Sequence, residues 1–140
     1  MEDTKEIIRS IIDEAVAELM GVIADDIGKM SLSNIVQTTQ IAVNKLGSRI
    51  VSQIVTVADE LYSKRRDKHK ITLRHTKTRR MASAMGEIEL TRRLYFDKAA
   101  GKYFFAVDEL LGIEKYSRIE GELKAQLINN ATLTSYGKAS

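Results

Sequence analysis

The sequence contains no cysteine, no proline and no tryptophan, and it has no long apolar run. Without cysteine the chain can form neither disulfides nor thiolate zinc sites. Because proline ordinarily makes up about one residue in twenty, its absence favours long uninterrupted helices and strands. No stretch approaches the ~18 consecutive apolar residues of a membrane-spanning helix. The acidic, polar start MEDTKEIIRS argues against a secretory signal, so we expect a cytoplasmic protein.

Positive charge is concentrated in one segment of the chain. Residues 64–80, KRRDKHKITLRHTKTRR, hold nine Lys or Arg and one Asp, although the whole protein has a formal net charge of only +3. Residues 1–31 carry a net charge of −5, and residues 64–102 carry +9. A positive field of this density favours a polyanion, and nucleic acid is the commonest one. The alternative is a solvated face or loop with no partner.

The first half of the chain is predicted to form two long helices, over residues 4–29 and 33–66. Apolar residues recur at spacings near 3.6 in both segments and give each helix one apolar stripe, over residues 7–27 and 35–62. Helices this amphipathic are expected to pack on each other or on a second copy of the chain. We therefore interpret residues 1–63 as a helical hairpin and a candidate oligomerisation module.

The period of the apolar pattern then changes from 3.6 to two. Segments 71–81, 87–96 and 102–107 are rich in Thr, aliphatic and aromatic residues and are separated by glycine-containing turns. They predict a basic antiparallel β meander over residues 64–107. Residues 108–140 are predicted to form short helices, with a fresh helix start close to the end. The predicted fold class is α+β: two long N-terminal helices, a three-stranded antiparallel meander, then short C-terminal helices.

Several blocks of the second half together resemble a known family. They are RRDKHKITL at 65–73 and the segments 85–88, 91–95, 101–103, 107–113, 122–125 and 135–139. By the order and spacing of these blocks, residues 65–140 resemble the N-terminal region of the ISLre-type insertion-sequence transposases. The helical first half matches this family much more weakly.

The resemblance implies a role in DNA transposition for the full-length relatives. In that family the segment after Ser135 looks like the start of a helix-turn-helix, and a catalytic domain with an RNase-H-like fold and acidic metal ligands follows. The chain departs from the pattern at Gly137, where the family usually has Arg, and glycine weakens the first turn of a helix. We expect the chain to be the front, non-catalytic part of such a protein, truncated before the catalytic domain.

The candidate DNA-binding residues are the Lys and Arg side chains of the basic segment and of the second strand. They are Lys64, Arg65, Arg66, Lys68, Lys70, Arg74, Lys77, Arg79, Arg80, Arg92 and Arg93. Contact with phosphates needs only charge and reach, so we expect backbone binding and not base readout. Regular alternation predicts that Arg74 and Arg80 share one face of the first strand. For Arg92 and Arg93 the alternative is an extended side chain on the apolar face, or a pair with an acid such as Glu89.

Three other groups of residues have structural interpretations that we favour over functional ones. The aromatic residues Tyr95, Phe96, Tyr103, Phe104 and Phe105 could stack unpaired bases, but aromatic residues at alternating strand positions are more often core. His69 and His75 have no further ligands nearby and are expected to add conditional positive charge. Asp108 beside Glu109 is expected to cap a short helix, since a two-metal site needs further acids.

No enzyme is expected from this sequence. It has no glycine-rich phosphate loop, no nucleophile–base pair and no acid–base dyad, and we predict no cofactor, no metal and no small-molecule substrate. The favoured partners are the DNA phosphate backbone and a second copy of the chain. The alternatives are an assembly module whose basic strand docks an acidic protein surface, a truncated transposase that acts as a regulator, and an RNA-binding protein.

Overall fold

The computed structural model describes residues 2–114 and 127–128. Its helices and strands, in chain order, are α1 Glu2–Asp26, α2 Leu32–Arg65, β1 Ile71–Ser83, β2 Gly86–Asp97, β3 Lys102–Phe105 and α3 Ala106–Leu111. The strands form one antiparallel sheet in the order β1-β2-β3. The predicted α+β class is therefore confirmed. The elements predicted after residue 114 lie almost entirely outside the described residues.

Helices α1 and α2 pack against each other in antiparallel orientation. Glu18 pairs with Lys45 at 3.1 Å, and Glu14 pairs with Arg49 at 2.7 Å. The residue numbers of the paired side chains rise along α2 as they fall along α1, so the two helices run in opposite directions. These side chains are largely exposed, and exposed pairs contribute only about 0–1 kcal/mol each. Burial of the facing apolar stripes therefore supplies most of the stability of the hairpin.

Helix α2 begins after Ser31, whose Oγ accepts a hydrogen bond from the backbone N–H of Asn34 at 3.2 Å. Ser33 and Asn34 are also residue types that favour the N-cap position, but both lie within the helix. The true cap lies earlier because Leu32 already has helical geometry. Satisfying one free N–H in this way stabilises a helix start by about 1 kcal/mol.

Asp108 does not cap helix α3, contrary to the prediction. Phe105 occupies the N-cap position without a side-chain hydrogen bond, and Asp108 lies within the first turn. Its carboxylate is bound by the guanidinium of Arg92 instead. Helix α3 ends at Gly112, which adopts a left-handed conformation with φ 68° that glycine reaches without steric cost.

The core lies between α2, the turn-proximal half of the sheet and α3. Its buried apolar residues are Val55, Met81, Ile88, Leu90 and Val107. They come from four elements of the described chain, so the core joins α2, both long strands and α3. Burying a side chain of this size contributes about 1.5–3 kcal/mol, which makes this cluster the main stabilising feature of the sheet.

Strand β2 buries residues on both of its faces. Regular alternation places Ile88, Leu90, Leu94 and Phe96 on one side of the strand and Tyr95 on the other, and the strand pairing agrees. In the structure Tyr95 is fully buried, whereas Leu94 and Phe96 are only half-buried. Helix α2 covers the side that carries Tyr95, with 5.1 Å between the ring centroids of Tyr62 and Tyr95. The core interpretation of Tyr95 is therefore confirmed.

The turn between β1 and β2 packs back onto the middle of α2. The side chain of Met85 contacts Gly47, and a Cβ added at Gly47 would overlap the sulfur of Met85. Glycine inside a helix costs about 1 kcal/mol relative to alanine. The close approach of Met85 gives the physical reason for a glycine at this position.

Candidate nucleic-acid interface

A bulge in β1 changes which basic residues share a face. The β1–β2 pairing shifts by one residue at Arg74, and the guanidinium of Arg74 lies over the ring of Phe96 at 5.2 Å. Phe96 is on the side of the sheet that also carries Lys77 and Arg79. The prediction that Arg74 shares a face with Arg80 is therefore wrong. One extra residue in a strand reverses the alternation on either side of it.

We call this side of the sheet the open face, because no described helix covers its outer end. Residues paired across neighbouring strands point to the same side, which assigns them by register. The open face comprises Arg74, Lys77 and Arg79 of β1, Arg92, Leu94 and Phe96 of β2, and Tyr103 and Phe105 of β3. The opposite face carries Arg93, Tyr95 and Phe104 and is contacted by the C-terminal half of α2.

Six of the predicted DNA-binding residues form what we call the unpaired basic set. All are exposed, and no carboxylate of the described residues lies within ion-pair distance of any of them. They follow one another from the end of α2, through the turn, into β1. They are Lys64, Arg65, Lys68, Lys70, Arg74 and Lys77.

Two lysines that sequence reasoning missed lie beside this set. The backbone N–H of Lys98 donates to the carbonyl of Lys70 at 3.0 Å, and Lys102 pairs with Asp97 at the start of β3. Both lysines are exposed. The signal was available, since an antiparallel meander must bring the turn after β2 next to the start of β1. Positive charge is therefore denser at this end of the sheet than the linear segment suggested.

Arg66 holds the junction between α2 and the sheet. Its guanidinium donates to the carbonyl and hydroxyl oxygens of Ser63 and to the carbonyl of Ile71, and it lies 5.3 Å from the ring centroid of Tyr95. A side chain used in three hydrogen bonds and one ring contact has little freedom to reach a phosphate. We therefore interpret Arg66 as structural.

Arg80 is exposed but has acidic neighbours. Its Nε lies 3.8 Å from a carboxylate oxygen of Glu87 and 3.6 Å from one of Glu89. Both glutamates are thus cross-strand partners of the basic strand. The two carboxylates locally cancel the charge of Arg80, so its attraction for a polyanion is weaker than that of Lys77.

Arg92 is buried in an ion cluster on the open face. Its Nε and Nη2 donate to the two carboxylate oxygens of Asp108 at 2.8 and 3.3 Å, and its side chain is 8% exposed. Its guanidinium also lies 3.9 Å from the ring centroid of Phe105. Arg79 approaches the same carboxylate at 3.8 Å. One alternative predicted that Arg92 pairs with an acid such as Glu89. Arg92 does pair with an acid, but the acid is Asp108.

Arg93 pairs with a buried acid on the opposite face. Its Nη1 donates to a carboxylate oxygen of Asp59 at 3.0 Å, and Asp59 is 3% exposed. Burial raises the pKa of Asp59 above its ordinary value, while the hydrogen bonds and charge of Arg93 oppose that rise. Sequence reasoning missed Asp59. It lies four residues after Val55 and three before Tyr62, which places it on the buried stripe of α2.

A cleft of about 800 Å³ lies between the open face and α3. Arg79, Arg92 and Asp108 line it together with the aromatic side chains of Tyr103 and Phe105. Arg80 and Glu109 also line the cleft, so three guanidinium groups accompany two carboxylates and the lining keeps a net positive charge. The cleft could therefore receive an anionic group next to an aromatic surface.

The two histidines lie near the basic residues. His69 is in the turn before β1, and His75 pairs with Leu94 on the open face. Within residues 2–114 and 127–128, no three His, Asp or Glu side chains are grouped as metal ligands.

Across that same part of the chain, no helix combines the length and hydropathy needed to cross a bilayer.

Comparison with known proteins identifies the family. Residues 24–140 match the uncharacterised protein family UPF0236. The chain belongs to this family. It is 30% identical over 129 residues to UPF0236 protein TTE2489 of Caldanaerobacter subterraneus subsp. tengcongensis, a match that covers 91% of this chain and 27% of that protein.

A second UPF0236 relative from the same organism, whose name carries several designations from TTE0033 to TTE2212, is 30% identical over 125 residues. That match covers 88% of this chain and 27% of the relative. The chain therefore spans only about a quarter of the length of the curated relatives it matches. No solved structure matches it.

Proposed function

We propose that this chain is the DNA-binding, non-catalytic N-terminal part of a longer transposase-like protein, and that it contacts DNA phosphates through the unpaired basic set. The observation that carries this proposal is the set itself. Six exposed cations follow one another from the end of α2 into β1, and no carboxylate of the described residues lies within ion-pair distance of them. Such an arrangement favours binding to a polyanion and steers its approach.

The surroundings of each cation decide whether it belongs to the proposed contact surface. An arginine already bound to a buried carboxylate would have to leave a charge unpaired before it could bind phosphate. For this reason we leave Arg92 and Arg93 out of the surface, and we add the exposed Lys98 and Lys102. The resulting surface lies at the end of the sheet where the turns before β1 and before β3 meet.

The transposase part of the proposal rests on the resemblance of residues 65–140 to ISLre-type transposases. The length of the curated relatives leaves room for a catalytic region beyond the part that this chain matches. Several designations for one relative are what repeated copies of one gene in a genome would give, and repetition is typical of insertion sequences. The hydrolytic or strand-transfer chemistry would then belong to the region that this chain does not cover.

We further propose that two copies associate through α2. Val36, Val43, Ile54 and Leu61 lie on one stripe of this helix at spacings of seven and eleven residues, and all are exposed, from 38% to 60%. A stripe with this spacing fits a neighbouring helix along its whole length. A second copy presents the same stripe, so a two-fold pair would bury both. Light scattering should show a dimer that Val43→Glu dissociates; a monomer at high concentration would contradict it.

The test of DNA binding is fluorescence anisotropy with labelled duplex DNA across a salt series. One variant replaces Lys68, Lys70, Arg74 and Lys77 with Ala. A matched control removes four exposed cations of the helical hairpin, Lys5, Arg9, Lys29 and Lys45. Counterion release predicts that the log–log salt slope of the first variant shrinks by about 0.9 per lost phosphate contact, whereas the control keeps the wild-type slope.

Two results would contradict the proposal. If both variants lose the same affinity, the effect reflects net charge and not this surface. If the wild-type chain shows no binding even near about 50 mM salt, where such contacts are strong, the basic strand does not contact DNA. The alternative, docking of an acidic protein surface, would then be the better explanation of the unpaired basic set.

A further inference from the structure

The aromatic residues of the sheet divide into two groups with different surroundings. On the opposite face, Tyr95 is fully buried and packs with Tyr62 and Phe104. On the open face, Phe96 and Tyr103 contact each other with 4.9 Å between ring centroids, and Tyr103 is 61% exposed. The prediction that these residues form core therefore describes Tyr95 and Phe104 but not Tyr103. A core role leaves the exposure of Tyr103 unexplained.

Cations surround the exposed aromatic pair. Arg74 lies over Phe96 at 5.2 Å, and Lys77 lies further along the same side of β1. On the other side of the pair, the cleft next to α3 contains Phe105 under the guanidinium of Arg92. Cationic and aromatic side chains thus alternate across the open face. Its cleft of about 800 Å³ is within the range of sites that hold a small molecule or a nucleotide.

Exposed aromatic rings beside cations suit a single DNA strand better than a duplex. Phosphate contact alone requires no aromatic surface, because every phosphate of a duplex is accessible to lysine and arginine. A flat exposed ring becomes useful when a base is free to leave its own stack, as in a single strand. Proteins that bind single strands usually combine base stacking on such rings with basic side chains that hold the neighbouring phosphates.

We propose that the open face binds single-stranded DNA, with one base stacked on Tyr103 and the neighbouring phosphates held by Arg74 and Lys77. The cleft beside Arg79 and Arg92 receives the next nucleotide of the strand. This inference rests on the proposed DNA-binding function and narrows it to unpaired nucleotides, such as those at an opened DNA end. The proposal gives a ligand to Tyr103, whose exposed ring is not required for the folding of the chain.

The experiment compares three labelled probes by fluorescence anisotropy: an oligo-dT strand of about 12 nucleotides, which is within the usual site sizes, the same length of oligo-U, and a blunt duplex. The test variant is Tyr103→Ala. Leu73→Ala is the matched control, because Leu73 is an exposed apolar residue of the sheet outside the open face. Tyr103→Trp tests rescue, since it restores a ring. Circular dichroism and urea unfolding confirm that each variant is folded.

We expect Tyr103→Ala to weaken binding of oligo-dT about 5- to 100-fold, the range found for loss of one stacked base. Duplex affinity should stay unchanged, and Tyr103→Trp should restore single-strand binding. If Tyr103→Ala leaves oligo-dT binding unchanged while the duplex still binds with a steep salt dependence, this inference is wrong and the proposed function stands. If oligo-dT binds through Tyr103 while the duplex does not bind, the inference stands and duplex contact fails. Tighter, Tyr103-dependent binding of oligo-U would overturn the assignment to DNA.

Discussion

Strands β1 and β2 are both rich in basic residues, yet they use them differently. Lys77 of β1 and Arg92 of β2 are directly opposite in the ladder and lie on the same face. Lys77 is exposed and has no carboxylate partner within the described residues, whereas Arg92 is buried against Asp108 and Phe105. Neighbouring positions of one sheet thus hold one cation free to bind a ligand and one that stabilises the fold.

The position of each strand explains the difference. Within the described residues β1 is at the edge of the sheet, with a neighbouring strand on one side only. β2 is central and is contacted by α2 and α3 as well as by both other strands. A charge can be buried only where a partner is held close to it. Both arginines of β2 have such partners, whereas among the basic residues of β1 only Arg79, beside Asp108, is largely buried.

The largest expected effect is on stability, at Arg92. Arg92→Ala leaves the buried carboxylate of Asp108 with only the more distant Arg79, and loss of one member of a buried pair costs about 3–5 kcal/mol. Lys77→Ala, directly opposite, should change the free energy of unfolding by no more than about 0.5 kcal/mol. Urea unfolding of both variants measures the difference. Similar destabilisation by the two substitutions would remove the contrast between the strands.

Asp59, the partner of Arg93 in β2, should make the free energy of unfolding depend on pH. Because burial raises its pKa above 3.8, the folded state binds more protons than the unfolded state between 3.8 and the raised value. The contribution of Asp59 to the free energy of unfolding should therefore fall as pH rises through that window. Asp59→Asn removes this dependence and, at neutral pH, weakens the bond to Arg93, at a cost of about 1–3 kcal/mol.

The measurement is urea unfolding of the wild type and of Asp59→Asn at closely spaced acidic to neutral pH values. The difference between the two profiles isolates Asp59 from the other carboxylates. A flat difference would show that the buried carboxyl has the same pKa in both states. Asp25→Asn, on the exposed surface of α1, serves as the control.

The smallest expected effect is at Arg80, which is intermediate between the two kinds of cation. Its side chain is 67% exposed although two glutamates lie within 4 Å. Exposed pairs of this kind contribute about 0.2–1 kcal/mol and are screened by salt. Arg80→Ala should therefore destabilise slightly at low salt and not at about 1 M salt, as followed by the thermal midpoint. If the thermal midpoint of Arg80→Ala is still lowered at high salt, Arg80 behaves like the buried, paired cations and the prediction is wrong.

The elements of the fold could be predicted because they depend on local patterns. Apolar residues at a spacing near 3.6 indicated α1 and α2, and alternation between glycine turns indicated the three strands. The faces could not be predicted, because they depend on events that leave no local signature. The bulge at Arg74 reversed the alternation of β1, and the contact of α2 with Tyr95 buries the side of β2 opposite to Ile88 and Leu90, so both sides of that strand hold buried residues.

The candidate site shows the same division. Composition located the basic segment, since charge density is a property of the sequence alone. It could not separate the members of the unpaired basic set from Arg92 and Arg93, because the partners Asp108 and Asp59 are 16 and 34 residues away in the chain. Lys98 was missed for the same reason, since only the sheet brings it beside Lys70.

The exposed edge of β1 has a consequence for the solubility of the protein. An edge strand thirteen residues long offers unpaired backbone groups to which a strand of another molecule could add. Closely spaced lysine and arginine side chains oppose such pairing by repulsion, and the bulge at Arg74 interrupts the flat hydrogen-bonding edge. The residues that we propose for phosphate binding therefore also keep separate molecules from joining edge to edge. Sequence changes that remove these charges would be selected against twice, for lost affinity and for aggregation.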